Sequence, residues 1–357
     1  MTQASPDKAF LQVDDLHTHF RVRGAGWRSE TLRAVNGVSF SIAQGETLGL
    51  VGESGCGKST LGRTLLRLNE PTRGAVYFKG QNLVGMGRGK MRAVRRSIQV
   101  VFQDPYASLD PKMTVGEIIA EPLHINNCYR PARVAEMIDC VGLQQDAANR
   151  LPTEFSGGQR QRIAIARALA LGPELLILDE AVSALDVSIQ AQVINLLKQL
   201  QKEMGLTYLF ISHDLSVVRY ISDKVAVMYL GKIVEMGAGE QIFSAPEHPY
   251  TQSLLSAVPI ADPSYRKQRQ RIVLKGDLPN PLDPPSGCAF RTRCFKARPK
   301  CAEQEPQLET RATAGHLSAD HVSACHFAEP VVPDFMKINT NTQTAAPALR
   351  SGAILKA

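Results

Sequence analysis

FLQVDDLHTHFRV, which opens the ordered pattern of the chain at Phe10, alternates apolar and polar residues with the period of a half-buried strand. VNGVSFSI reads as a second strand that stops at the turn AQGE. The run TLGLVG is short and apolar throughout, as expected of a strand covered on both faces, and leads straight into a glycine-rich segment. From Lys58 the run continuing STLGRTLLRL takes up helical spacing, so strand, glycine loop and helix follow in order. Between about Gln81 and Glu154 strand signals thin out and helical ones take over, as in VGEIIAEPL and RPARVAEMIDCVGL, where Gly142 can act as a C-cap. Helix and strand then alternate through QRQRIAIARALAL, ELLILDE, VSIQAQVINLLKQLQKEMG, TYLFIS, LSVVRYIS, KVAVMYLG and KIVEMG. That alternation predicts an α/β fold: a mainly parallel sheet with helices on both faces, antiparallel strands at the N-terminus and a helical insertion. After about Ser244 the chain becomes rich in proline and cysteine (PLDPPSGCAF), marking a second, smaller module, and the small polar run TNTQTAAPALRSGA is expected to be disordered.

A chain of 357 residues with 44% apolar residues can build one large core plus a smaller unit. The net charge of +7 is spread out, and its densest stretch, residues 88–96 (RGKMRAVRR), precedes the apolar run SIQVVFQ. No aromatic residues are interleaved there for base stacking, so the stretch reads as a solvated helix face and no nucleic-acid partner is expected. Such a basic chain would also tolerate an anionic membrane surface. No window approaches the ~20 apolar residues of a membrane span, and MTQASPDKAF lacks the apolar core of a signal peptide, so a cytoplasmic chain is expected. Of seven cysteines, Cys288, Cys294, Cys301 and Cys325 crowd into the last quarter, where a reducing compartment favours metal ligation over disulfides. Cys128 and Cys140 read as apolar fillers, and His321 and His326, beside Cys325, as surface histidines.

The chemistry begins at residues 52–59, GESGCGKS, a full match to the phosphate-binding P-loop in its required setting between strand and helix. Gly52, Gly55 and Gly57 let backbone N–H groups close on phosphate oxygens, with Glu53, Ser54 and Cys56 contributing mainly main chain. Lys58 would neutralise the β- and γ-phosphates of ATP, and Ser59 would offer its hydroxyl to Mg²⁺. Thr60 follows in the first helical turn, whose N-terminus adds partial positive charge. The apolar run LLILDE delivers Asp179 to the sheet edge to hold Mg²⁺ through water and places Glu180 to polarise an attacking water. FSGGQRQRIAIARALA, from Phe155, is a second anion site: Ser156, Gly157, Gly158 and Gln159 open a helix whose first N–H groups lack partners.

One chain does not need two such sites for one triphosphate, and here the sequence resembles the ATP-hydrolysing subunits of ABC transporters. FSGGQ is similar to the family signature, and Gln103 in VVFQDP, residues 183–186 (SALD, ending at Asp186) and His213 in ISHD match its Q-, D- and H-motifs in order. The resemblance implies that two nucleotide-binding domains pack head to tail, ATP on one P-loop being capped by the signature helix of the other. It also implies Glu180 as general base, His213 on the γ-phosphate and Gln103 sensing Mg²⁺ and the transport channel. The insertion, about residues 103–155, would dock on membrane subunits. For adenine stacking the chain offers Phe20 and Trp27. Phe20, at the end of the first strand, is the choice, with an ordinary core phenylalanine as the competing reading. Ala181 stands where the family usually has proline, and Phe155 where it has leucine; neither removes a chemical group.

HPYTQSLLSAVP, from His248, and GDLPNPLDPPSGCAF are similar to the C-terminal extension of dipeptide and oligopeptide importer ATPases. The implied division is residues 1–245 as nucleotide-binding domain, 246–335 as the extension and 336–357 as a tail. The spacing C-x5-C-x6-C-x23-C lacks the paired C-x2-C knuckles of zinc ribbons. The resemblance implies a [4Fe–4S] cluster on these thiols, with zinc or free thiols as alternatives. It further implies peptide import, dipeptides ahead of nickel chelates or opines. The implied partners are a paralogous ATPase, two permeases and an extracytoplasmic peptide-binding protein, at the inner face of the bacterial plasma membrane. A repair ATPase would carry a long coiled coil between its motifs and a translation factor two cassettes, and neither is present.

Overall fold

The computed structural model describes residues 9–23, 29–104, 108–258, 271–310 and 320–331. Trp27 and the 336–357 tail lie outside the described residues.

The first two predicted strands form as β1 (Leu11–Arg23) and β2 (Ser29–Ile42), which pair antiparallel; with β4 (Arg73–Phe78) and β5 (Gln81–Asn82) they make a four-stranded sheet, order β2-β1-β4-β5. A second sheet contains β3 (Thr47–Val51), β6 (Ile98–Val101), β7 (Leu175–Asp179), β8 (Thr207–Ser212), β9 (Lys224–Tyr229), β10 (Lys232–Ala238) and β11 (Val322–Ser323). Its order is β11-β10-β9-β3-β8-β7-β6, with the five strands from β9 to β6 parallel and β10 and β11 antiparallel. Every residue of β3, β7 and β8 is buried, as their uninterrupted apolar runs require.

Alternate residues of these strands feed two cores. Leu175 and Ile177 face the core shared with the antiparallel sheet, while Leu176 and Leu178 face the core shared with the helical insertion. Each such side chain contributes roughly 1.5–3 kcal/mol on burial. The parallel order brings the C-terminal ends of β3, β7 and β8 side by side, and the motifs follow those ends directly.

Four strands were not legible from local pattern: β4, β5, β6 and β11. β6 has four residues directly after a helix, and β11 has two. The basic run forms that helix, Arg88–Ser97, and Arg95 turns inward, donating to the carbonyls of Leu66 and Arg67 at 3.0 and 2.9 Å. These carbonyls lie just past the helix Lys58–Leu65, so one of the basic residues caps the P-loop helix instead of facing water.

The described part of the helical insertion includes the α-helices Val115–Ile125, opened by a Thr114/Glu117 capping box, and Pro131–Cys140, followed by the short 3-10 helices Gln145–Asn149 and Pro152–Glu154. Described residues after Ser244 pack on the rest. In the helix Pro249–Ala257, Tyr250 and Leu255 have no exposed surface, and β11 adds the last strand to the large sheet.

His321 corrects the sequence reading, because it is buried and not a surface residue. Its Nε2 lies 2.8 Å from Glu235, a carboxylate on β10 with no exposed surface that also accepts the Glu247 and His248 N–H groups at 2.6 and 3.1 Å. Long-range packing made this environment; the neighbouring residues alone carry no sign of it. Burial pulls the His321 pKa down, but the hydrogen bond and charge of Glu235, with the charge of Glu247, outweigh it and hold the group above its ordinary value. His248, fully enclosed, goes the other way, to about 4, through loss of hydration.

A pKa raised in the folded state stabilises fully below the unfolded value, and that stability disappears as pH rises through the folded value. Urea unfolding should therefore show stability falling as pH rises through and above the ordinary histidine range. His321→Ala should flatten that slope and cost about 3 kcal/mol at neutral pH by leaving Glu235 buried without a counter-charge. An equal slope in the variant would exclude the His321–Glu235 pair as its source.

Candidate nucleotide site

The loop of residues 52–59 is pressed between two strands, which explains two of its glycines. A Cβ on Gly52 would lie 2.2 Å from the Met228 carbonyl oxygen, and one on Gly57 would lie 2.1 Å from that of Ala34. Both clashes are with protein backbone, so these glycines serve loop seating as well as any ligand's approach. Gly55 faces open space and needs glycine for its φ of +82°. Lys58 is buried and folded back on the loop, its Nζ donating to the carbonyls of Gly52 at 2.8 Å and Glu53 at 3.1 Å. Its remaining contact is the Cys56 sulfur at 3.9 Å, and an ammonium held by such neutral acceptors is a ready cation for an entering phosphate. Cys56 is sealed in with its thiol pKa raised by burial, and it contributes main-chain bonds, its carbonyl accepting the Gly231 N–H at 2.8 Å.

Ser59 donates its hydroxyl to Asp179 Oδ1 at 2.7 Å. Burial raises the Asp179 pKa, opposed by the Ser59 hydrogen bond and the Arg63 charge. A hydroxyl and a poorly hydrated carboxylate side by side are a hard-oxygen pair suited to Mg²⁺. The next residue, Glu180, has a left-handed φ of 50°. Its N–H donates to Ile211 on β8 at 2.9 Å, and its carbonyl accepts both the N–H and the hydroxyl of Ser183 at 3.1 and 2.9 Å. That grip turns the carboxylate toward Gln103, whose Nε2 donates to it at 2.9 Å, and toward His213 Nδ1 at 3.4 Å. Three residues predicted from separate motifs therefore meet at one carboxylate. Gln103 here contacts Glu180, an arrangement that the expectation of Mg²⁺ sensing did not include.

Ser156 caps the helix Gly157–Leu169: its hydroxyl accepts the Gln159 N–H at 3.4 Å, and the Gln159 side chain returns to the Ser156 N–H at 3.0 Å. Gly158 is buried because a Cβ there would meet Ile189 at 2.3 Å, so glycine draws this helix against Val187–Met204. Ser156, Gln159 and Asp186 are exposed, and Val187 beside Asp186 is 82% exposed. The tip thus presents polar groups and an unpartnered apolar side chain to its surroundings. Phe20 is half-buried on β1, opposite Leu32, and outside both cores.

Two residues were missed. Arg293 forms a two-point ion pair with Glu53 of the P-loop, and the Tyr250 hydroxyl accepts the Glu53 N–H at 2.9 Å. Arg293 and Glu53 are 240 positions apart, and no local pattern announces the pair.

Among the described residues no group of three or more His, Cys, Asp or Glu side chains is arranged as a metal-ion site. The four C-terminal cysteines are unpaired and share one patch. Burial pushes the Cys288 and Cys325 thiols up to about 11, and the neighbouring cysteines push in the same direction.

A family profile described as "ABC transporter" matches residues 35–183, and one described as "Oligopeptide/dipeptide transporter, C-terminal region" matches residues 234–301. The chain is 53% identical over 330 residues to the oligopeptide transport ATP-binding protein AppF of Bacillus subtilis, covering 90% of this chain and 98% of that protein. It is 54% identical over 314 residues to the oligopeptide transport ATP-binding protein OppF of Escherichia coli, covering 85% and 93% respectively. A solved dimeric, post-hydrolysis state of the ATP-binding cassette MJ0796 bound to ADP and Pi is similar at TM-score 0.57 and 30% identity, covering 64% of this chain and 98% of that one.

Proposed function

The chain belongs to the ABC transporter ATPases, on their oligopeptide/dipeptide branch, and from that premise we propose that it powers import of short peptides by hydrolysing ATP at a seam shared by two nucleotide-binding domains. The observation that carries this reading is the separation of the machinery into two parts. Ser59 bonds to Asp179, and Gln103 and His213 meet the next residue, Glu180, with Lys58 preceding Ser59 on the loop, while Ser156 at an exposed tip bonds within its own helix. A nucleotide-binding domain of a second subunit, a paralogue by family habit, would bring its own tip to this P-loop.

In that seam Lys58 would take the β- and γ-phosphates, Phe20 would stack on adenine, and Ser59, Asp179 and Gln103 would hold Mg²⁺, which when bound would supply positive charge against the phosphates. Glu180 orients the attacking water and accepts its proton, and His213 donates to the γ-phosphate. Gly157, Gly158 and Ser156 of the partner subunit's signature would close the site, with Asp186 beside the seam. Residues 1–245 act as the nucleotide-binding domain and 246–335 as its extension.

The groove of about 700 Å³ between the two insertion helices, edged by Glu117, His124, Ile125 and Tyr129, is the docking place for a permease. Ile125 and Tyr129 are 55% and 45% exposed, as a contact surface requires. No described helix is long and apolar enough to cross a membrane, so attachment falls to the permeases at the cytoplasmic face. The names of the relatives put oligopeptides ahead of dipeptides as cargo, delivered by an extracytoplasmic binding protein.

Four thiols are the donor chemistry a [4Fe–4S] cluster takes, and Cys288, Cys294, Cys301 and Cys325 would hold it, although they are not gathered as a metal-ion site among the described residues. Backbone N–H groups of Lys296 and Phe327 already donate to the sulfurs of Cys294 and Cys325 at 3.4 Å, as sulfur ligands to iron commonly accept. When bound, the group would cross-link the extension.

Anaerobic purification from native membranes tests these readings together. Two permeases and a second ATPase, with iron and labile sulfide in the protein, are expected. Recovery of ribosomes or DNA-repair proteins would exclude import, while a colourless protein with stoichiometric zinc would exclude only the cluster.

A further inference from the structure

Glu53, the second residue of the phosphate loop, is gripped twice from the C-terminal extension. Arg293 donates Nη1 to Oε2 at 2.8 Å and Nη2 to Oε1 at 3.1 Å, the two-point geometry that fixes direction as well as distance. Tyr250 accepts the Glu53 N–H on its hydroxyl at 2.9 Å. Both partners are anchored in the interior: Tyr250 has no exposed surface, and the Arg293 side chain is 11% exposed. Tyr229, Tyr250 and Phe290 pack as a ring cluster with centroids 4.8 to 5.3 Å apart. Phe290 leads directly into the turn that carries Arg293, closed by Arg293 N–H to the Phe290 carbonyl at 3.0 Å. The cassette motifs supply none of these groups.

The grip matters for two physical reasons. A phosphate cradle works through backbone N–H groups that already point inward, so a loop pinned at one residue loses less freedom when it closes on ligand. The Glu53 carboxylate also stands in a loop that must accept a highly charged anion, and Arg293 cancels that charge. Without Arg293 the loop would be looser and would repel its ligand.

We propose that Arg293 and Tyr250 are positioning residues for ATP, so that the C-terminal extension forms a working wall of the nucleotide site. The inference rests on residues 52–59 being the ATP cradle, and it extends that reading to residues of the C-terminal extension, beyond the last cassette motif at His213.

The test is Mg–ATP binding by the full-length chain, with KM and kcat of the assembled transporter. Arg293→Gln should weaken ATP binding roughly tenfold and raise KM in step, with kcat at saturating ATP within about twofold of the parent. Arg293→Lys should recover only part of the loss, because an ammonium cannot reproduce the fork. Tyr250→Phe, which leaves the Glu53 amide without its acceptor, should move KM in the same direction. In a Glu53→Gln background, Arg293→Gln should change affinity by less than about twofold, since the charge it cancels is gone.

A purely structural role would lower the melting temperature and leave KM unchanged. Parental affinity in both Arg293→Gln and Tyr250→Phe would overturn the proposal, as would an undiminished Arg293→Gln effect in the Glu53→Gln background. If Arg293→Gln does not fold, Arg293→Lys and Tyr250→Phe decide by the same criterion. Failure of the parent chain to bind Mg–ATP would overturn the cradle reading itself and this inference with it.

Discussion

Glu180→Gln is expected to slow ATP hydrolysis by about 10²–10⁴-fold, the range for loss of a positioned general base, while ATP stays bound. The amide keeps the size of the carboxylate and its contacts to Gln103 and His213, which lie at 2.9 and 3.4 Å from Oε2. It cannot take a proton from water. The backbone at this position is held in the left-handed region, φ 50°, by Ile211 on one side and Ser183 on the other, so the substitution changes chemistry without releasing the turn. Hydrolysis opens the proposed seam, and its loss should leave the ATP-bound pair of domains closed. Size-exclusion chromatography with Mg–ATP should then show a persistent dimer of cassettes that the parent protein forms only transiently. Hydrolysis within a factor of about three of the parent would remove Glu180 from the chemistry.

Ser156→Asp should abolish hydrolysis in the assembled transporter, by about 100-fold or more, and leave ATP affinity of the separate chain within about threefold. Aspartate caps a helix N-terminus as well as serine does, and its charge suits the helix dipole, so the helix Gly157–Leu169 should remain intact or gain stability. The only property lost is the ability of that tip to receive an anion. A carboxylate would face the γ-phosphate held by the opposite subunit, and like charges in a closed seam repel strongly. Circular dichroism melts verify the helix, ATPase assays read the seam, and binding to the lone chain reads its own P-loop. Parental hydrolysis rates would mean that Ser156 never meets nucleotide, and the shared seam would have to be given up.

The site was legible where function is written in contiguous residues. A phosphate loop needs glycines and a lysine a few positions apart, and a buried strand that delivers Asp179 and Glu180 needs an unbroken apolar run, so both leave marks that survive without any structure. Glu180 could be named for the same reason, while Gln103 and His213 were named from motifs of the family that the sequence resembles. Their meeting at one carboxylate oxygen follows from the strand order, in which β7 lies between β6 and β8. Ser156 likewise could be read as an anion-binding helix tip, but its exposed position came from the packing of Gly158 on Ile189.

Long-range pairs were of a different kind. His321 looked like a surface residue because neighbouring sequence says nothing about Glu235, which reaches it across 86 positions through the last strand of the sheet. β11 itself has two residues, too few to show alternation. Arg293 sits in a turn whose proline and cysteine content predicts only irregular chain, yet it holds Glu53. The periods of strand and helix determined the α/β class from the sequence by itself, and the local geometry that phosphate demands marked the P-loop and the Asp179–Glu180 strand end as candidates, while the family resemblance supplied Gln103 and His213. Only the tertiary structure decided which distant charges neutralise one another, because a buried ion pair constrains positions in space and leaves their separation along the chain unrestricted.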